Sequence, residues 1–168
     1  MSVRCLSPVD DANATVLILG SMPGKLSLDA GEYYAHPRKL FWHILGELVG
    51  AIPALPYEER TCIVRSAGIA LWDVLQSCAR GSSLDSDIEN SSIIPNDFAA
   101  FFSAHPKIAR VYFNGAKAEN YYRKRVLPFI KEKPISYERL PSTSPANASM
   151  SYDRKLAAWR AILRQTAR

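Results

Sequence analysis

The sequence contains no apolar run approaching the roughly 20 residues that a membrane-spanning helix requires. Its opening stretch, Met1-Ser2-Val3-Arg4-Cys5, lacks the apolar core of a secretory signal. Both absences point to a cytoplasmic protein with no membrane partner. Cysteine is sparse: Cys5, Cys62 and Cys78 are widely spaced and form no CxxC pair. They are too few for a four-thiolate iron–sulfur cluster and cannot all be paired as disulfides. No HExxH and no paired Cys/His spacing occurs, so no metal, iron–sulfur cluster or other cofactor is expected. Acidic residues are scarce toward one end. Residues 105–168 carry 14 basic and 4 acidic residues, whereas residues 1–104 carry 7 and 12.

That asymmetry gathers positive charge in Arg123, Lys124, Arg125, Lys131, Lys133, Arg154, Lys155, Arg160, Arg164 and Arg168. Such a block suits a polyanion such as nucleic acid; it equally suits the solvated faces of basic helices. With 168 residues, 48% of them hydrophobic and 22% charged, the chain is long and apolar enough for one globular domain spanning residues 1–168. There is no internal repeat and no low-complexity tract.

Apolar runs alternate with helical patterns. Residues 15–19, 69–72, 108–113 and 135–140 read as strands. Helices are expected after His36-Pro37, with Phe41, Ile44, Leu45 and Leu48 on one face, and over 56–66 and 116–130. Asn96 could cap a short helix carrying Phe98, Phe101 and Phe102. Ser151 can cap a last helix in which Leu156, Trp159, Ile162 and Leu163 form one buried stripe. Residues 76–94 read as a polar connection, and 141–149 as a loop. Strand–helix alternation argues for an α/β fold: a three-layer α/β/α sandwich around a mainly parallel four-stranded sheet. In such sheets ligands bind beyond the carboxyl ends of the strands. Four segments follow strands and should converge on one rim: Gly20-Ser21-Met22-Pro23-Gly24, Asp73, Asn114-Gly115, and Pro141-Ser142-Thr143-Ser144-Pro145.

Each segment has two readings. The glycines of 20–24 let backbone approach a ligand closely, or simply turn a strand into a helix. Tyr33 and Tyr34 beside the basic His36-Pro37-Arg38-Lys39 suit a stacked base near phosphate, and His36 is either structural or functional. Phe41 and Trp42 fit the core. Asp73 is a pocket carboxylate or a helix cap. Asn114 can read a base edge with its amide, or cap the next helix. The small hydroxyl residues and prolines of 141–149 make a stiff loop suited to phosphate contacts, or a surface turn.

Taken in order, GSMPG (20–24), GEYYAHPRKLFW (31–42), GIALWDV (68–74), SLDSDI (83–88), FNGAKA (113–118) and PSTSPANA (141–148) resemble the uracil-DNA glycosylase superfamily, in its hypoxanthine-DNA glycosylase branch, over about residues 16–159. The resemblance implies an enzyme that flips a deaminated base (hypoxanthine, uracil or xanthine) out of DNA and hydrolyses its N-glycosidic bond. It also implies DNA containing such bases as the partner and a nucleoid-associated protein, for which a monomer would suffice. On it, Gly20, Ser21, Met22, Pro23 and Gly24 line the pocket and help place water. Tyr34 stacks on the flipped base, with His36 in the same base-binding group. Ser142, Thr143, Ser144, Pro145 and Asn147 grip the DNA backbone, with Ala146 and Ala148 near the wedge that fills the vacated stack.

The catalytic candidates are Lys39, Asp73 and Asn114. Lys39 stands where the branch typically has an asparagine, and Ser21 or Met22 where related enzymes carry another catalytic amide or carboxylate. Three roles for Lys39 follow. It stabilises the anionic base or binds phosphate while Asp73 or Asn114 places water. It attacks C1′ and gives lyase chemistry. Or the chain is a lesion-sensing module with little catalysis. A soluble nucleoside hydrolase on the same sheet is a further alternative, and it would not need the basic block.

Overall fold

The fold is that of a computed structural model describing residues 2–164, so Arg168 of the basic block lies outside the described residues. In chain order the elements are β1 (Ser2–Arg4), β2 (Val16–Gly20), α1 (Lys25–Ala30), α2 (Phe41–Val49), α3 (Tyr57–Ser66), β3 (Ile69–Asp73), β4 (Leu75–Ala79), β5 (Ile94–Pro95), α4 (Phe98–Ala104), β6 (Arg110–Asn114), α5 (Ala116–Arg125), β7 (Ser136–Leu140) and α6 (Tyr152–Trp159).

Four strands pair in the order β3-β2-β6-β7, all parallel. β2 is buried at all five positions, as a central parallel strand covered on both faces must be. Its alternate residues feed two cores. Leu17 and Leu19 pack with Phe98, Phe102, Phe113 and Tyr122, the layer of α4 and α5. Val16 and Ile18 pack with Phe41, Ile44, Leu45 and Trp159, the layer of α2 and α6. This is the α/β/α sandwich expected from the alternation. The register aligns the strand ends: Gly20 lies opposite Asp73, Leu19 opposite Phe113, and Asn114 opposite Leu140. One rim therefore carries the starts of all four connections.

The structure departs from the sequence-based expectation where polar residues do structural work. Residues 76–94 are not simply a connection: β4 pairs antiparallel with β1 and with β5 in a second, three-stranded sheet. A short helix, α1, follows Gly24, so residues 20–24 do turn a strand into a helix. α2 begins at Phe41, leaving His36 and Pro37 in the preceding turns. α5 stops at Arg125 and gives way to a 3₁₀ turn at Leu127–Phe129. The cap of α4 is Asp97, whose side chain accepts from the Ala100 N–H, while Asn96 turns inward and donates to the backbone carbonyl of Asp73 at 2.7 Å. Ser151 caps α6 as expected. Trp159 and Ile162 are buried, but Leu163 is 45% exposed and falls outside the stripe.

These assignments separate two neighbouring substitutions. Asp97→Ala removes an exposed cap and should cost about 1 kcal/mol. Asn96→Ala leaves a carbonyl at the end of β3 unpartnered and should cost about 1–3 kcal/mol. Urea unfolding checks the order; the reverse order would show that Asn96, not Asp97, caps the helix.

Candidate active site

Asp73 ends β3 and is 3% exposed. A strand follows it rather than a helix, so it caps nothing. Its backbone is pinned by the Asn96 amide, and the next N–H, of Val74, donates to the Gly20 carbonyl at 2.8 Å. A Cβ on Gly20 would lie 2.5 Å from Asp73 Oδ1 and 3.3 Å from Tyr34 Oη. Carboxylate and phenol thus close on the same space, and glycine at position 20 is what admits both.

Tyr34 reaches that point on an unusual backbone. Its φ of +57° makes it the one non-glycine residue with positive φ among those described. Such a conformation costs about 1–3 kcal/mol and persists only where neighbours over-determine it. Here they do. Tyr33 N–H donates to the Tyr57 hydroxyl at 3.0 Å, Trp42 Nε1 donates to the Tyr33 carbonyl at 2.9 Å, and Ala35 N–H donates to Ser27 Oγ at 3.1 Å. Phe41 stacks on the Tyr34 ring, centroids 3.8 Å apart. One ring face is therefore covered, and the ring borders the cleft. Phe41 and Trp42 are core, as expected, and Tyr33 joins them, 3% exposed.

The opposite wall is stapled. Asn114 Nδ2 donates to Thr143 Oγ1 and its Oδ1 accepts from Thr143 N–H, both at 2.9 Å. Asn114 does not cap α5, whose N-cap is Gly115. The same amide also reaches the Tyr34 phenol, so it ties the ring to this wall. The 141–149 loop also bonds to itself: Ser144 N–H to Ser142 Oγ, Ala146 N–H to Ser144 Oγ, and Asn147 Nδ2 to the Ser142 carbonyl. Lys155, counted in the basic block, is not at the surface. It is 3% exposed and donates to the Asn147 carbonyl at 2.6 Å, and burial pulls its ammonium below the ordinary 10.5. It holds the loop from beneath.

The first turn has its own support, which nothing in the sequence marks. Arg80, 6% exposed, donates to the Pro23 carbonyl at 2.6 Å, and Lys25 N–H donates to Ser83 Oγ at 2.9 Å. Lys39 stands over the Tyr34 ring, its Nζ 5.7 Å from the centroid, and would lie 3.8 Å from a Cβ on Gly24. His36 Nδ1 accepts from Arg38 N–H at 3.1 Å, which puts the ring proton on Nε2. Lys117, unmarked in the sequence, reaches the rim from the first turn of α5. Arg123, Lys124 and Arg125 lie at the other end of that helix, roughly 9–12 Å along its axis from Lys117 at 1.5 Å per residue.

All of these strand ends border one cleft of about 510 Å³. It brings together every sequence-marked site residue: Gly20, Ser21, Met22, Pro23, Gly24, Tyr34, His36, Lys39, Asp73, Asn114, Ser142, Thr143, Ser144, Pro145 and Asn147. Its size is within the roughly 300–1,000 Å³ of small-ligand sites. It offers an aromatic face, a carboxylate on the floor, an ammonium above the ring and small donors on the far wall. That set can hold a planar, polar ligand and stabilise charge that develops on it.

Comparison with known proteins agrees with this fold. The family model of the Uracil DNA glycosylase superfamily matches residues 7–166. A protein from Methanosarcina acetivorans named Hypoxanthine DNA glycosylase is 33% identical over 165 residues, covering 98% of this chain and 99% of its own. One of the same name from Methanosarcina barkeri is 33% identical over 156 residues, covering 92% and 94%. A solution NMR structure from M. acetivorans, of a candidate uracil DNA glycosylase, superposes with a TM-score of 0.76 at 31% identity, covering 98% of this chain and all of that one.

The phenols of Tyr33 and Tyr34 are raised above the ordinary 10.0, first by burial and next by the charge of Asp73; Asn114 opposes the rise at Tyr34. Because the folded pKa values exceed the unfolded ones, their contribution to stability is complete below pH 10 and is lost as pH rises beyond it. Phenolate absorbance should therefore show these two tyrosines ionising only together with unfolding. Ionisation of both near pH 10 in a still-folded chain would place them at the surface.

Proposed function

The chain belongs to the uracil DNA glycosylase superfamily, whose members cleave the N-glycosidic bond in base-excision repair, and on that premise we propose that it removes hypoxanthine from DNA at the cleft described above. The observation that carries this reading is the gathering of Tyr34, Lys39, Asp73 and the 142–147 loop around one cleft of about 510 Å³, large enough to admit a nucleobase with its sugar. The names of the relatives support hypoxanthine as the base. As part of the same reading, the chain acts as a monomer on nucleoid DNA, where its substrate lies.

C1′ is unreachable inside a duplex, so the nucleotide must be everted. The everted base stacks on the Tyr34 ring, an interaction worth about 1–3 kcal/mol. As the bond breaks, positive charge builds on the sugar and negative charge on the base. Lys39, above the Tyr34 ring, neutralises the departing base. Asp73, on the floor, steadies the sugar cation and orients the attacking water. The Asn114 amide is largely committed to Thr143, which supports giving it a positioning role and leaving the water to Asp73. Ser142, Ser144, Pro145 and Asn147 meet the DNA backbone. His36, with a proton on Nε2, faces the base or its phosphate.

The test is excision from labelled duplexes bearing hypoxanthine, uracil or xanthine, followed by alkali. Alkali-dependent cleavage at hypoxanthine is expected, with Asp73→Asn slower by about 10²–10⁴-fold and Lys39→Gln slower by about 10–10³-fold in kcat. Binding without cleavage would overturn the reading in favour of a lesion sensor. A break before alkali would replace hydrolysis by Schiff-base chemistry at Lys39.

A further inference from the structure

The chain between β4 and β5 carries a feature that the proposed chemistry does not use. Leu84 is 54% exposed, and Leu26 on α1 is 46% exposed. Leucines exposed singly are ordinary on protein surfaces. These two both border the cleft, and their segments are tied together by the hydrogen bond from Lys25 N–H to Ser83 Oγ. The loop turns its polar groups inward. Leu84 N–H donates to Ser82 Oγ at 3.1 Å, Asp87 N–H donates to the Leu84 carbonyl at 3.1 Å, and the Ser82 hydroxyl donates to the Asp87 carboxylate. A bridge between Arg80 and Ile88 closes its base. Leu84 is thus held out from a braced loop at the mouth. The facing wall offers nothing comparable: Ala146 and Ala148 are small, and the Asn147 amide is occupied with the Ser142 carbonyl.

A duplex that gives up a nucleotide keeps a gap in its stack, and proteins that distort duplexes commonly fill such gaps with an apolar side chain. We propose that Leu84, backed by Leu26, is the wedge that enters the base stack when DNA lies across the cleft. This rests on the glycosylase reading above, and it moves the wedge from the 146–148 segment to the opposite wall.

The experiment compares excision of hypoxanthine from duplex and from single-stranded oligonucleotides, with Leu84→Ala and the Leu26→Ala/Leu84→Ala double variant. A wedge is needed only where a stack must be held open. The duplex rate should therefore fall about tenfold or more while the single-strand rate changes by less than about twofold. Leu84→Met should restore most of the duplex rate. A 2-aminopurine placed beside the lesion should brighten when the wild-type chain binds and stay dim with Leu84→Ala. Equal losses on both substrates, or an unchanged duplex rate, would overturn the proposal. If the wild-type chain excises hypoxanthine from neither substrate, the glycosylase reading fails, and the fluorescence alone decides the wedge: brightening that survives Leu84→Ala overturns it.

Discussion

At the floor of the cleft, the Asp73 carboxylate and the Tyr34 phenol converge on the space where a side chain of residue 20 would begin. The parallel pairing of β2 with β3 sets Gly20 opposite Asp73, and the clamped, left-handed backbone at Tyr34 delivers the ring from the other side. A methyl group there would press on the acid and crowd the phenol, and neither has room to retreat: Asp73 is fixed through Asn96 and Tyr34 is backed by Phe41. The rest of the site is arranged around this contact.

The two walls are stiffened by different means. On one side, buried Arg80 and the Ser83 hydroxyl fix the 20–24 turn. On the other, Asn114 staples Thr143 in both directions, Lys155 props Asn147, and Trp159 donates to the Pro141 carbonyl at 2.9 Å. Each is a polar group whose partner is backbone or a hydroxyl, so removing it leaves a donor or acceptor stranded. Holding the walls beforehand spares a ligand the entropy of ordering them.

The four strands and the rim they share were legible because short apolar runs ended at Gly20, Asp73, Asn114 and the Pro141 loop, and parallel topology sends all such ends to one edge. What escaped was decided by pairing across long stretches of chain. β4 does not alternate, with half-buried Gln76 and Ser77 between buried Leu75 and Cys78, and its partner β1 lies some 70 residues away. Arg80 is a lone cation in a serine-rich stretch, and Lys155 looks like any other member of a basic helix. Charge alone does not say whether a side chain meets water or a carbonyl beneath a loop. Asn96 and Asp97 are both good caps, and only the orphan carbonyl at the end of β3 decides between them.

The strand order β3-β2-β6-β7 has a further consequence for how the molecule comes into being. One of its two inner strands, β2, is the earliest in the sheet to be synthesised, yet it is flanked by strands that begin about 50 and 90 residues later. Long-range closure of this kind slows folding. On the ribosome, β2 must wait for both flanks, and the far wall waits longer still for Lys155 and Trp159 on the last described helix. A nascent or truncated chain ending before that helix would lack its props for the 141–149 loop, so the cleft is completed late in synthesis.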